Sequence, residues 1–271
     1  VPVINLSFFS ILVFSATWIL PAVLVGVVII AAPYLWAAAN ARMKFVMPAL
    51  PTIDPLSKDA ENDDILGHFN QFTPVLERLG FASYGDYSVT DYLPNMWMAL
   101  RLFLNRKTHE AAGVLYLRES QPKGRVRTAR MLVFVTDFIH DRSIMTLNGD
   151  HLSLFANGAN WRQVHVPDLN TVELLYRIHH INGSRFAPGA MKIMTPVGRE
   201  VAWLHEALLR PVQTQVELDR MRLSRGGTHY HLTWSGAASF AWKGLWPFKS
   251  KRARRLHRES EALIRFASEH I

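Results

Sequence analysis

Acids and a histidine crowd one short stretch, "DFIHDRS", which holds Asp137, His140 and Asp141, with Asp150 a little further on. Carboxylates beside an imidazole can bind a cation or pass protons, which makes this the first candidate for chemistry. The same residue types also fill turns, where short polar side chains hydrogen-bond the local backbone. Two histidine groups come next. His179 and His180 are adjacent on an expected helix, with His165 upstream. Neighbours on a helix point about 100° apart, so they cannot grip one metal from a single face and read more simply as a polar helix edge. His229 and His231 alternate on an expected strand and share a face, but no third ligand is identifiable. "HEALL" at 205–209 lacks the second histidine of a zinc-protease helix, and there is no dinucleotide loop, phosphate loop or nucleophile elbow. With no cysteine, a disulfide framework, Cys-ligated zinc, iron–sulfur clusters and Cys-attached haem are excluded. No cofactor or metal is indicated.

A different chemistry is concentrated near the C-terminus. "SFAWKGLWPFKSKRARR", residues 239–255, sets Trp242, Trp246 and Phe248 beside Lys249, Lys251, Arg252, Arg254 and Arg255. Rings next to cations suit nucleic acid, where they stack on bases and meet phosphates. They equally suit a membrane surface, where Trp sits at the interface and Lys/Arg meet anionic headgroups. The formal net charge of +8 points to anionic partners without choosing between these. A second basic group, Arg118, Lys123, Arg125, Arg127 and Arg130, surrounds the "ESQPKGR" loop and reads as an anion-binding loop or an ordinary solvated one.

The opposite end of the chain decides between the two partners. Residues 1–41 contain no Asp, Glu, Lys, Arg or His, and Phe8 to Trp36 is almost wholly apolar. About 20 apolar helical residues cross a bilayer core, so this run predicts a transmembrane helix over about 8–40, kinked at Pro21. An alternative starts the span at Pro21 and leaves 5–18 at the interface. A cleaved signal peptide would carry a basic start and a shorter apolar core, although "AAANA" at 37–41 mimics a cleavage site. Arg42 and Lys44 follow directly, which by the positive-inside rule puts the N-terminus outside and the body on the cytoplasmic side of the inner membrane. The tail then faces anionic lipid, with Trp36, Arg42 and Lys44 at the same interface, and nucleic acid falls behind lipid as its partner. The span has no ionisable residue and so offers no proton or ion pathway. Ala22 and Gly26 form a small-xxx-small pair, which points to other transmembrane subunits as partners.

The elements between these ends follow from periodicity and turn signals. Residues 45–71 read as a Pro-rich and acidic linker. Thr73 and Pro74 open a short helix ended by Gly80. Strands are expected at 95–104, 112–119, 129–138 and 143–147, and Asn157–Gly158 signals a hairpin between 151–155 and 161–166. Short links favour an antiparallel meander. Helices follow, one capped by Asp168 or Asn170 and ending at Asn182–Gly183, one opening at Thr195–Pro196 and broken or kinked at Pro211. Residues 228–234 read as a last strand before a helical tail. The expected class is α+β, a meander with helices on one face. Its parts are an anchor at 1–44, a linker at 45–71, a body at 72–234 and an aromatic, basic helical tail at 235–271.

"LERLGFASYGDY" (76–87), followed by a meander and paired helices, resembles stretches of uncharacterised bacterial proteins, which implies no activity. In architecture, one span with a cytoplasmic sheet domain is similar to the H subunit family of purple bacterial reaction centres. That resemblance implies a non-catalytic accessory or scaffold subunit of a membrane complex, photosynthetic or respiratory. The alternatives carried forward are a membrane-tethered metal-dependent or acid–base hydrolase built on Asp137, His140 and Asp141, and a tethered polyanion-binding module.

Overall fold

The computed structural model describes residues 25, 28, 29, 31–57, 63–121, 124–149, 155–167, 169–193, 198–245 and 248–269. The expected span lies largely outside the described residues. Among the described residues, no helix is long and apolar enough to cross a membrane. Helix α1, followed here over 31–44, is the C-terminal part of that apolar stretch.

A seven-stranded sheet forms the centre. Its strands run in chain order: β2 (Thr52–Pro55), β3 (Ala82–Thr90), β4 (Met96–Asn105), β5 (Glu110–Ser120), β6 (Val126–Phe138), β7 (Arg142–Leu147) and β8 (Trp161–His165). Alternation sorts their side chains into two cores. Met98, Leu100, Leu102 and Leu104 of β4, with Leu115, Met131, Val133 and Met145, face one way. Ala99, Phe103, Val114, Tyr116, Leu132 and Phe134 face the other. Because both sides are apolar, both need covering. Helices α2 (Asp63–Arg78), α3 (Val172–Phe186) and α6 (Phe248–Glu269) cover the second face. Helix α4 (Glu200–Glu217), helix α5 (Trp234–Gly244), part of α1 and a small antiparallel sheet cover the first. That sheet has the order β1 (Val46–Pro48), β10 (His229–Leu232), β9 (Met221–Leu223). The fold is mixed α+β with two sheets and six helices among the described residues, and its helices lie on both faces rather than the one expected.

Several expectations need correcting in detail. The linker over 45–71 contains strands: Met47 is buried opposite Tyr230, and Ile53 pairs with Val89. Helix α2 begins at Asp63, so Pro74 lies inside it rather than in its first turn. An interior proline costs about 3 kcal/mol. Burial of Ile65, Phe69, Phe72 and Leu76 on one stripe outweighs it, at about 1.5–3 kcal/mol each. Pro211 likewise sits inside an unbroken α4, held by buried Leu204, Ala207 and Val212. Helix α3 runs past Asn182–Gly183 to Phe186, and the opening of α4 lies at Glu200 rather than Thr195.

The meander is not wholly antiparallel, since β8 runs parallel to β7, with Ser143 opposite Trp161. A parallel pair needs a connection of a dozen residues or so, and the chain between Leu147 and Trp161 supplies it. Asn157 still makes a local turn, its side chain accepting from the Gln163 N–H at 2.7 Å and donating to the Gln163 carbonyl at 3.3 Å. Residues 151–154, all but the last residue of the first arm of the expected hairpin, lie outside the described residues.

Candidate functional site

Asp137 and Asp141 line one cleft, and His140 is not part of its wall. His140 and Asp141 form the β6–β7 turn, both with left-handed φ of 62° and 55°. Asp137 is buried at the end of β6, and its two oxygens are already occupied. Trp203 Nε1 donates to Oδ2 at 2.6 Å, and Arg210 forms an ion pair with Oδ1 while also donating to Ser143 Oγ at 3.0 Å. Its main-chain carbonyl accepts from Ile193 N at 2.8 Å. Asp137 is therefore the rivet that fixes α4 to the β6–β7 hairpin. The cleft beside it, of about 250 Å³, also includes Arg199 and Glu206. Asp150 lies outside the described residues.

His179 is not on a polar helix edge. It is 1% exposed and sits between two sheet threonines, with Thr136 Oγ1 at 2.8 Å from Nε2 and Thr146 Oγ1 at 2.9 Å from Nδ1. Burial pushes its pKa down to about 3, so the ring is neutral. Its neighbour His180 faces Glu110 at 3.4 Å. Glu110 is the anchor that sequence reasoning missed. It opens β5 and is almost fully buried; Tyr176 donates to it at 2.5 Å and Lys192 pairs with it. Burial pushes the carboxyl up, but the hydrogen bonds from His180, Lys192 and Tyr176 outweigh it and hold the group well below the ordinary carboxylate range. A charged residue opening the apolar run "EAAGVLYL" was the available signal. The network ties α3 and residue 192 to the sheet.

Neither remaining histidine set gathers a metal site. His229 is exposed and bonded to Thr228 Oγ1 at 2.9 Å, and His165 Nδ1 meets the Gly149 carbonyl at 2.8 Å. Among the described residues there is no group of three or more His, Asp and Glu placed to hold a metal ion.

The C-terminal aromatic and basic stretch does build a site. Helices α5 and α6 meet near residue 245, and α6 crosses back over α3, where Arg177 donates to the Ala267 carbonyl at 3.2 Å and Arg185 stacks on Phe266. Between α6 and the outermost strand β8 lies a groove of about 950 Å³. Six cations line it, Arg162, Arg185, Lys243, Lys251, Arg252 and Arg255, against one carboxylate, Glu259. Trp242 and Phe248 stack at one end. Burial, then repulsion from Arg252 and Arg220, lowers the Lys243 pKa to about 8. Lys249 and Arg254 are on α6 but outside this wall, and Trp246 lies outside the described residues.

Helix α1 docks beside this groove. Tyr34, Ala37, Ala38 and Ala41 recur at helical spacing and pack into the first core. Tyr34 donates to the Ala238 carbonyl at 2.6 Å and meets Trp242 edge to face, Arg42 lies over Trp234, and Phe45 touches Phe240. The alanines at 37–41 therefore serve the chain's own body as a close-packing face. The other side of α1 is apolar and bare: Val25, Val28, Ile29, Leu35, Trp36 and Met43 are all more than half exposed. Lys44 closes α1 as an exposed cation. Ala22 and Gly26 lie outside the described residues.

The β5–β6 loop does not present one basic face. Arg118 stacks on Trp97, and Arg130 pairs with Asp64 of α2, both on the α2 side of the sheet. Arg127 stands opposite Glu119, one position out of phase with that pair, and so points to the other side. Arg125 is exposed in the turn, and Lys123 lies outside the described residues. No protein-family model, curated protein or solved structure matches this chain.

Proposed function

We propose that this protein is a membrane-anchored, non-catalytic accessory subunit whose body sits on the cytoplasmic face of a larger membrane complex. The observation that carries this reading is α1: a charge-free stretch enters the body as a helix with one face docked and the other an exposed apolar stripe of Val25, Val28, Ile29, Leu35 and Trp36. A contiguous apolar face of this kind calls for lipid or a partner helix. The aromatic and basic groove beside it supports contact with anionic headgroups on the same side, and cations near such a surface contribute about 1 kcal/mol each. The involvement of Asp137 in a structural ion pair weighs against the hydrolase alternative. A photosynthetic or respiratory assembly remains the setting that the resemblance of architecture suggests.

Purification of the tagged full chain in mild detergent tests this. A single large complex of fixed stoichiometry is the expected product. Recovery as a monomer free of other membrane subunits refutes the accessory-subunit reading.

A further inference from the structure

Among the described residues, the walls of the basic groove hold far more positive charge than negative. Arg162 of β8, Arg185 of α3, Lys243 of α5 and Lys251, Arg252 and Arg255 of α6 line it, against the single carboxylate of Glu259. Glu259 is itself engaged, since it pairs with Arg255 at 2.9 Å. Four elements far apart in the chain therefore bring cations to one space of about 950 Å³.

Two further features show this charge being held against its own repulsion. Burial, then Arg252 and Arg220, all depress the Lys243 pKa, and no carboxylate among the described residues offsets them. Helix α6 also begins against its own dipole. A helix N-terminus favours acids, yet the first turn of α6 has none and carries Lys249 and Lys251 instead. Lys251, Arg252 and Arg255 fall at spacings of three and four, so they share one stripe of α6, and that stripe lines the groove. Local rules of this kind are broken at functional sites, where a ligand supplies the missing charge.

The ligand follows from charge and geometry. Four of the six cations are arginines, whose planar forks match phosphate oxygens two at a time. One phosphate monoester carries about −1.5 to −2 charges. Six cations against one carboxylate leave an excess of five, so one phosphate leaves the wall strongly positive and two bring it closer to neutral.

We propose that this groove binds a ligand with two adjacent phosphates, either a lipid diphosphate headgroup or a free diphosphate, held among Arg162, Lys243, Lys251 and Arg252. This deepens the membrane reading and rests on it only for a lipid source, because the groove belongs to the body.

The test is calorimetric titration of the full chain held in a non-ionic amphipol. One pyrophosphate per chain is expected, bound at least tenfold more tightly than orthophosphate or sulfate. Arg162→Gln with Lys251→Gln, both exposed and on opposite walls, should weaken pyrophosphate about tenfold or more. Lys249→Gln with Arg254→Gln removes the same charge from α6 outside the wall and should change binding less than about twofold. Circular dichroism confirms that each pair folds, and the anion series on the unaltered chain stands if one does not. Equal binding of pyrophosphate and orthophosphate, equal losses in the two variant pairs, or tighter binding of a single-stranded oligonucleotide or an oligoglutamate peptide overturns the inference. The source is read with water-soluble dihexanoylglycerol pyrophosphate. Binding at least as tight as that of pyrophosphate identifies a lipid, whereas weaker binding identifies a free diphosphate and removes the lipid source while the site stands. Purification in mild detergent separates the two readings. A lone monomer that binds pyrophosphate sinks the accessory-subunit reading alone, and a stoichiometric complex that does not bind it sinks this site alone.

Discussion

A neutral histidine and an ionised glutamate buried in one network make folding depend on pH in a definite direction. The His179 pKa falls from 6.5 in the unfolded chain to about 3 in the fold. Between those values the unfolded state binds the extra proton, so its contribution is fully present above about pH 6.5 and is lost as pH falls through that window. The slope is about 1.4 kcal/mol per pH unit. Glu110, held below its usual 4.5, adds a loss of the same sign under about pH 4.5. Thermal unfolding followed from pH 7 downwards should show stability declining from about 6.5, and His179→Gln should flatten the upper part of that decline. An unchanged slope in the variant would remove His179 as the cause. Little of this network was legible beforehand. The paired histidines were visible, but what makes His179 neutral is the two threonines that β6 and β7 bring to it, and nothing in the spacing of those residues announces the meeting. Asp137 shows the converse: the local composition marks it out, yet its partners Trp203 and Arg210 come from a helix far along the chain.

At the scale of elements, the strands were the most readable part. The alternation in 95–104 fixed which of its residues share a core, because period two leaves no freedom. Helix starts were less readable, since both interior prolines looked like boundaries and were overridden by burial on the rest of the stripe. The small sheet is not legible at its two outer strands, β1 and β9, because three residues each carry too short a pattern. Helix α5 depends on a feature invisible to periodicity. Thr233 caps it, accepting from Gly236 N at 3.1 Å, and its hydroxyl donates to the Asp219 carbonyl at 2.7 Å. This pulls Gly236 so close to the Arg220 main chain that a Cβ would overlap its carbonyl. Gly236→Ala should therefore cost about 1–3 kcal/mol or more and loosen α5, with the Trp242 environment changing in near-ultraviolet circular dichroism. A variant as stable as the parent, with an unaltered aromatic signal, would show that this close approach is not needed.

For the whole molecule, two kinds of attachment to lipid make different demands. A protein held only by its basic groove would leave vesicles in strong salt, where charges are screened beyond about 3 Å at 1 M. One held by an apolar span would stay. High-salt washing of membranes should thus leave the full chain in the pellet, while a chain lacking residues 1–33 should be released. Release of the full chain by salt would reduce the N-terminal stretch to a surface contact. The composition made this distinction possible, because the charge-free end and the cationic end are separated along the sequence. It could not reveal that they are neighbours in the fold.

That adjacency comes from the seating of α1 against the body through Tyr34, Ala38 and Arg42. A helix joined by a loose tether can spin without its cargo noticing. Here a turn of α1 about its axis must carry α5, the three-stranded sheet and the cationic trough round with it. Whatever grips the bare side of α1 thereby sets the compass bearing of everything attached below it.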